Sequence, residues 1–301
     1  MTALLASLSL AVSHVVTVAG LGGEPDYEQR FAAHAAEIEK LLKADSGTKV
    51  ITLSGAGASR NAVINALQQV ARESKADDAF ALILIGHGTF DNTDYKLNLP
   101  GPDITAAELA PLLDRIAAGK QLIVNTTSAS GASLMLLQRP NRTVITATKS
   151  GMEKNAPVFA RYWVEAMRDP GADSDKNDTV TALEAYRYAD QKTVAYYETQ
   201  KRLATEHALL EDAGSGDGAR APSPENGKGQ LAARFPLVRL GAAQKASLSP
   251  EKQLLLKKKE ELEISIDKLK YQKAAMPAEE YRRTMQALLL ELARVQGAID
   301  K

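Results

Sequence analysis

Apolar and polar positions follow two alternating periods along this chain. Short aliphatic, often β-branched runs at 14–19 (HVVTVA), 49–54 (KVITLS), 80–85 (FALILI), 121–124 (QLIV) and 143–148 (TVITAT) are strand-like. They are separated by stretches at 27–43, 61–73 and 105–118 in which apolar residues recur every third or fourth position. Short continuous apolar runs read as buried strands, and the longer 3.6-residue pattern reads as amphipathic helix. Regular alternation of the two predicts a mostly parallel sheet with helices on both faces, an α/β three-layer sandwich. Two more helices are expected around Phe159, Tyr162, Trp163 and Met167 and around Leu183, Tyr186, Tyr188 and Val194. The run 235–240 (FPLVRL) reads as a last strand at the sheet edge, where a proline is tolerated.

The pattern changes over the last fifty residues. Leu255, Lys259, Leu262, Ile266, Leu269 and Lys273 are spaced by alternating fours and threes, and so are Tyr281, Met285, Leu288, Leu292, Val295 and Ile299. The segment 274–280 interrupts the repeat, with Pro277 suited to a first helical turn and Glu279 and Glu280 complementing a helix dipole. An antiparallel helical hairpin is expected over 248–301, attached to an α/β domain over 14–245. About three heptads per arm are too few to stand alone, so the seam is expected to pack on the body or on a second copy of the chain.

In a doubly wound sheet, ligands collect beyond the carboxyl ends of the strands. Two such ends carry small polar clusters: the run 80–85 leads into Gly86, His87 and Gly88, and the run 121–124 into Asn125, Ser128, Ser130 and Gly131. This arrangement resembles the legumain/caspase clan of cysteine peptidases, in which one strand ends in a histidine–glycine pair and the next in a nucleophilic cysteine followed by serine and glycine. His87 and Gly88 match the first element; Ser128 stands in the cysteine position, 41 residues on, followed by Ser130 and Gly131. The resemblance spans the first two thirds of the chain. It implies a caspase-like fold, with His87 as general base, Ser128 as nucleophile and the Gly88 amide as an oxyanion donor.

The departure at Ser128 changes the expected chemistry. A thiol with pKa near 8.5 ionises beside an imidazole, whereas a serine hydroxyl must lose its proton to a well-placed base during attack. A site shaped for thiolate chemistry therefore predicts a catalytically degenerate protein that holds a peptide or protein ligand in its strand-end crevice. An active serine-type hydrolase is the competing expectation. The glycine-rich strand end 20–27 leaves room for a peptide in the same crevice, and the resemblance suggests Arg30 as a basic specificity group there.

A second motif is of the metal-binding kind. The segment 173–184 (DSDKNDTVTALE) fits the twelve-residue EF-hand calcium loop, with oxygen-bearing side chains at Asp173, Asp175 and Asn177, the position-7 residue Thr179, Val180 at position 8 and Glu184 at position 12. Position 6 is Asp178 where glycine is favoured, which strains the turn because φ > 0 is tolerated by aspartate but not free. Thr181 and Glu184 also compose a helix capping box, which an acidic surface loop would share. Structural calcium is the expected cofactor, and bacterial members of the clan often carry such a loop at this place.

Composition narrows the alternatives. Of 301 residues, 37 are Lys or Arg and 37 Asp or Glu, so no global basic field exists to hold nucleic acid or an anionic membrane. With no cysteine, disulfides and zinc-thiolate sites are excluded. The segment 55–60 (GAGASR) lacks the third glycine of a dinucleotide loop and reads as a tight turn capped by Ser59. The acidic, glycine- and proline-rich segment 211–229 reads as a flexible surface loop, with Asp212 and Asp217 as a second weak cation candidate. Residues 1–13 suggest an export signal, from the apolar stretch and a small-residue cleavage pattern, and hence a periplasmic or secreted protein; a cytoplasmic one is the alternative.

Overall fold

The computed structural model describes residues 11–301. The elements are β1 (Ser13–Ala19), α1 (Pro25–Lys43), β2 (Thr48–Leu53), α2 (Arg60–Glu73), β3 (Ala79–Ile85), β4 (Gly88–Phe90), β5 (Tyr95–Leu97), β6 (Ile104–Thr105), α3 (Ala106–Leu113), β7 (Lys120–Asn125), α4 (Leu134–Leu137), β8 (Arg142–Thr146), α5 (Phe159–Ala166), β9 (Thr179–Thr181), α6 (Ala182–Thr199), β10 (Leu209–Glu211), β11 (Pro236–Arg239), α7 (Gly241–Ser247), α8 (Pro250–Gln272) and α9 (Ala278–Ile299). Of the expected export segment, only 11–13 lies within the described residues, and Ser13 already begins β1.

Six strands form the central sheet in the order β10-β8-β7-β3-β1-β2. All neighbours run parallel except β10, which is antiparallel to β8. Strand periodicity sends alternate side chains to opposite faces. Ala81, Ile83, Ile85, Leu122 and Val124 meet α1, α5 and α6 on one face. Phe80, Leu82, Leu84 and Ile123 meet α2, α3 and α4 on the other. This is the expected three-layer α/β sandwich.

Four features depart from the sequence reading. The helix expected over 105–118 ends at Leu113, because the Arg115 and Ile116 amides close tight turns onto Leu112 and Leu113 and Ile116 drops into the core. The final strand does not join the sheet edge: β11 pairs antiparallel with β9, and β10 already occupies the edge beside β8. The segment after Glu211 is not free: the buried Asp212 carboxylate accepts hydrogen bonds from the amides of Gly229, Leu231 and Ala232 at 2.7, 2.7 and 3.2 Å. A three-stranded antiparallel flap, β4-β5-β6, follows His87 directly.

The hairpin is present, with α8 and α9 antiparallel: Lys252 Nζ donates to the Ile299 carbonyl at 2.6 Å, and Lys258 pairs with Glu291 at 2.5 Å. Its small core comprises Leu256, Leu262, Val295 and Ile299 with Ala243 and Ala246 of α7. Leu256, rather than Leu255, is the buried leucine at the start of the seam. Among the described residues, no helix is long and apolar enough to cross a membrane.

Candidate functional site

Strands β3 and β7 pair side by side and parallel, from Ala79 opposite Lys120 to Leu84 opposite Asn125. His87 and Ser128 therefore follow neighbouring strands at the same, carboxyl end of the sheet. The floor between them is backbone. A Cβ at Gly88 would lie 2.4 Å from the Ser128 carbonyl oxygen, and one at Gly20 2.5 Å from that of Asn98, so both positions require glycine for close approach of chain segments.

Ser128 is 2% exposed, and its Oγ accepts a hydrogen bond from the Gly88 amide at 3.2 Å. The amide expected to serve as an oxyanion donor is thus engaged by the serine itself. Beneath Ser128 lies a buried polar network. Thr127 Oγ1 donates to Asn125 Oδ1 at 2.8 Å, the Tyr95 hydroxyl lies 2.6 Å from Thr127 Oγ1, and Asn125 Nδ2 donates to Ser133 Oγ at 3.0 Å. Burial pushes the Tyr95 phenol up to about 12, so it serves this network as a neutral group. Ala129 takes a left-handed conformation, φ 56°, with its amide donating to the Glu153 carbonyl at 2.8 Å.

His87 is held on its other side by α1. Its ring meets the rings of Tyr27 and Phe31 edge-on, with centroids 4.6 and 5.2 Å away, and the Arg30 guanidinium lies 4.7 Å from the Tyr27 ring centroid. Burial is the main cause that lowers the imidazole pKa, with Arg30 adding, while a backbone hydrogen bond at Gly22 and the Glu24 charge oppose it. The ring is a neutral imidazole near pH 7. Among the described residues no hydrogen bond joins it to Ser128.

A second imidazole at this end of the sheet was not read from the sequence. Because β10 runs antiparallel, His207, just before it, enters at the carboxyl ends of β7 and β8. The Glu153 carboxylate contacts His207 Nδ1 and accepts from the His207 and Lys149 amides at 3.1 and 2.9 Å. The same residue's carbonyl holds Ala129, next to Ser128. Glu153 and His207 lie 54 positions apart in flanking loops, and no local spacing signals such a pair.

The metal-type loop brings together the three carboxylates its spacing implies. Ligand oxygens of Asp173, Asp175 and Glu184 lie within 4.8 Å of one another. Asp173 accepts from the Asn177 and Asp178 amides at 3.1 and 3.0 Å, and Asn177 Oδ1 from the Thr179 amide at 2.8 Å. Glu184 also closes the capping box, accepting from the Thr181 amide and hydroxyl, both at 2.9 Å. Asp178 adopts the expected left-handed conformation, φ 65°. An all-oxygen, carboxylate-rich set suits a hard cation such as calcium. The Asp175 carboxyl is pushed up to about 6, by desolvation first and by the neighbouring Glu184 charge second.

No known family model matches the sequence, nor does any curated protein. Among solved structures, the chain is similar to a protein of Geobacter sulfurreducens, with 14% identity over 77% of this chain and 100% of that one and a TM-score of 0.45. It is also similar to the Drosophila initiator caspase Dronc, at 11% identity over 68% of this chain and 81% of that one with a TM-score of 0.44. Caspase-1 from Spodoptera frugiperda gives 12% identity over 68% of this chain and 87% of that one, with a TM-score of 0.47. At these values the likeness describes a course of the backbone and brings no chemistry with it.

Proposed function

We propose that this protein is a peptidase-like binding module of the legumain/caspase kind, catalytically degenerate, which holds a peptide or protein segment across the strand-end crevice. The observation that carries this reading is the engagement of the Gly88 amide by a buried Ser128 hydroxyl, with His87 turned into an aromatic bracket. Acyl transfer needs a nucleophile within reach of a base and free donors for the oxyanion. Here the serine and the expected donor satisfy each other, and the imidazole packs against Tyr27 and Phe31. The glycine floor leaves backbone groups and Arg30 for a ligand instead.

The test is hydrolysis of fluorogenic peptides with Asn, Asp or Arg before the scissile bond. The expected result is no turnover by the wild type, with Ser128→Cys recovering a trace of thiol-dependent cleavage because only the ionisable atom is restored. Robust wild-type turnover that vanishes in both Ser128→Ala and His87→Ala would establish a serine hydrolase instead.

The loop 173–184 is read as a structural calcium site formed by Asp173, Asp175, Asn177, Thr179 and Glu184; the closeness of its three carboxylates supports this. A ligand bound only by the folded state stabilises it, by about 2.7 kcal/mol at a hundredfold excess over Kd. Millimolar calcium is therefore expected to raise the Tm, and Asp173→Ala combined with Glu184→Gln to abolish the rise. An unchanged Tm in the wild type would leave the loop as a capped turn. Export, tested by cell fractionation, and self-association through the hairpin, tested by sedimentation, belong to the same reading.

A further inference from the structure

Helix α8 lies directly across the 173–184 loop. Lys259 Nζ, on a side chain only 10% exposed, donates to the Asn177 carbonyl at 2.7 Å, and Asn177 Nδ2 faces Glu263 Oε2 at 3.4 Å. The Leu240 amide donates to the Asp178 carbonyl at 2.8 Å, so the chain leaving β11 for α7 is pinned to the same loop. Arg239, at the end of β11, contacts Asp45 of the body and reaches Glu260 of α8 at 2.7 and 3.0 Å. Every one of these contacts is polar, unlike the leucine and valine packing that joins α8 to α9.

A cavity of about 70 Å³ remains between loop and helix, and Asp175 from the loop and Glu260, Glu263 and Asp267 from α8 all line it. Arg234, which lines the same cavity, and Lys259 and Arg239, paired with Glu263 and Glu260 beside it, offset part of this charge. Carboxylates facing one another across a half-closed space repel, and a divalent charge on the loop turns that repulsion into attraction. We propose that the helical hairpin is a strap whose docking is coupled to a divalent cation in the 173–184 loop: the cation holds α8 against the body, and α8 in turn tightens the loop's hold on the cation.

This inference rests on reading the loop as a cation site. Linkage makes the two effects equal, because the factor by which the cation favours docking is the factor by which docking favours the cation. Arg239→Ala separates them experimentally, since Arg239 anchors α8 without belonging to the loop.

The experiment is hydrogen exchange on the full chain with and without calcium, paired with calorimetric titration of calcium alone. Calcium is expected to slow amide exchange along 250–272 by about fivefold or more, leaving α2 on the far face unchanged. Arg239→Ala is expected to weaken calcium binding severalfold while 173–184 stays folded. Calcium binding to the wild type with no change in α8 exchange, or an Arg239→Ala affinity equal to wild type, overturns the strap and leaves the cation site standing. No calcium heat in the wild type at millimolar concentration overturns both.

Discussion

At the scale of single residues, the crevice depends on groups that tolerate little change. Gly88→Ala would press a Cβ against the Ser128 carbonyl oxygen and the Thr127 and Tyr95 side chains, and because the first of these is backbone, relief requires the β7 loop to move. A loss of about 1–3 kcal/mol, read from denaturant unfolding, is expected. The histidines give a pH signature. Burial is the first cause that lowers both His34 and His87 from the ordinary imidazole value of 6.5, with Arg30, Arg161 and Arg168 adding at His34 and Arg30 at His87. As pH falls through 6.5 the unfolded chain takes up these protons before the folded one does, so their contribution to stability is present above that value and is lost below it. Tm measured between about pH 7 and pH 5 should fall less steeply in His34→Gln/His87→Gln than in the wild type. Identical slopes would show that both rings titrate normally in the fold.

Among the elements, helix α5 shows why part of the molecule was hidden from sequence reading. Its first turn has no side-chain cap of its own at Val158. The buried Glu206, from the segment entering β10, accepts from the Val158 and Phe159 amides at 2.7 and 3.1 Å. Glu206→Ala is therefore expected to cost about 1–2 kcal/mol, and Glu206→Gln less, since the amide oxygen still accepts one bond. Caps supplied locally were legible: Ser59, and the Thr181–Glu184 box, sit three residues from the groups they bond. The inner strands β1, β3, β7 and β8 were legible because each is a nearly continuous buried run, and β2, half-buried at the margin, because its β-branched residues are bounded by Gly47 and Gly55. The loop 173–184 was legible because oxygen-bearing residues recur at fixed intervals. β10 was not, since three residues entering an acidic segment carry no period, and neither was the Glu153–His207 pair, which exists only because an antiparallel strand closes the sheet. The seam of α8 carries a different lesson: Lys259 stands where a heptad wants an apolar side chain, and its amine serves a carbonyl of another element.

For the whole molecule, two large cores on opposite faces of one sheet share every central strand and should melt together. The hairpin's core is small and separate, built from Leu256, Leu262, Val295, Ile299 and two alanines of α7. Exchange in α8 and α9 should accordingly report local opening at lower free energy than exchange in β1, β3 and β7, and equal protection across all five would contradict this division. The sheet itself has two unlike margins. On one side β10 runs antiparallel and is followed by a chain that folds back on it, with Leu210 and Ala219 bonded in both directions. On the other, β2 pairs among the described residues with β1 alone, and five of its six residues are half-buried while Lys49 is exposed and paired with Glu73 at 2.9 Å. A row of peptide groups left open in this way invites a strand from a neighbouring molecule. Lys49 places a charge on that margin: Lys49→Ile should leave the Tm nearly unchanged yet make concentrated solutions scatter light on mild heating, the sheet edge having lost the one charged side chain its strand carries.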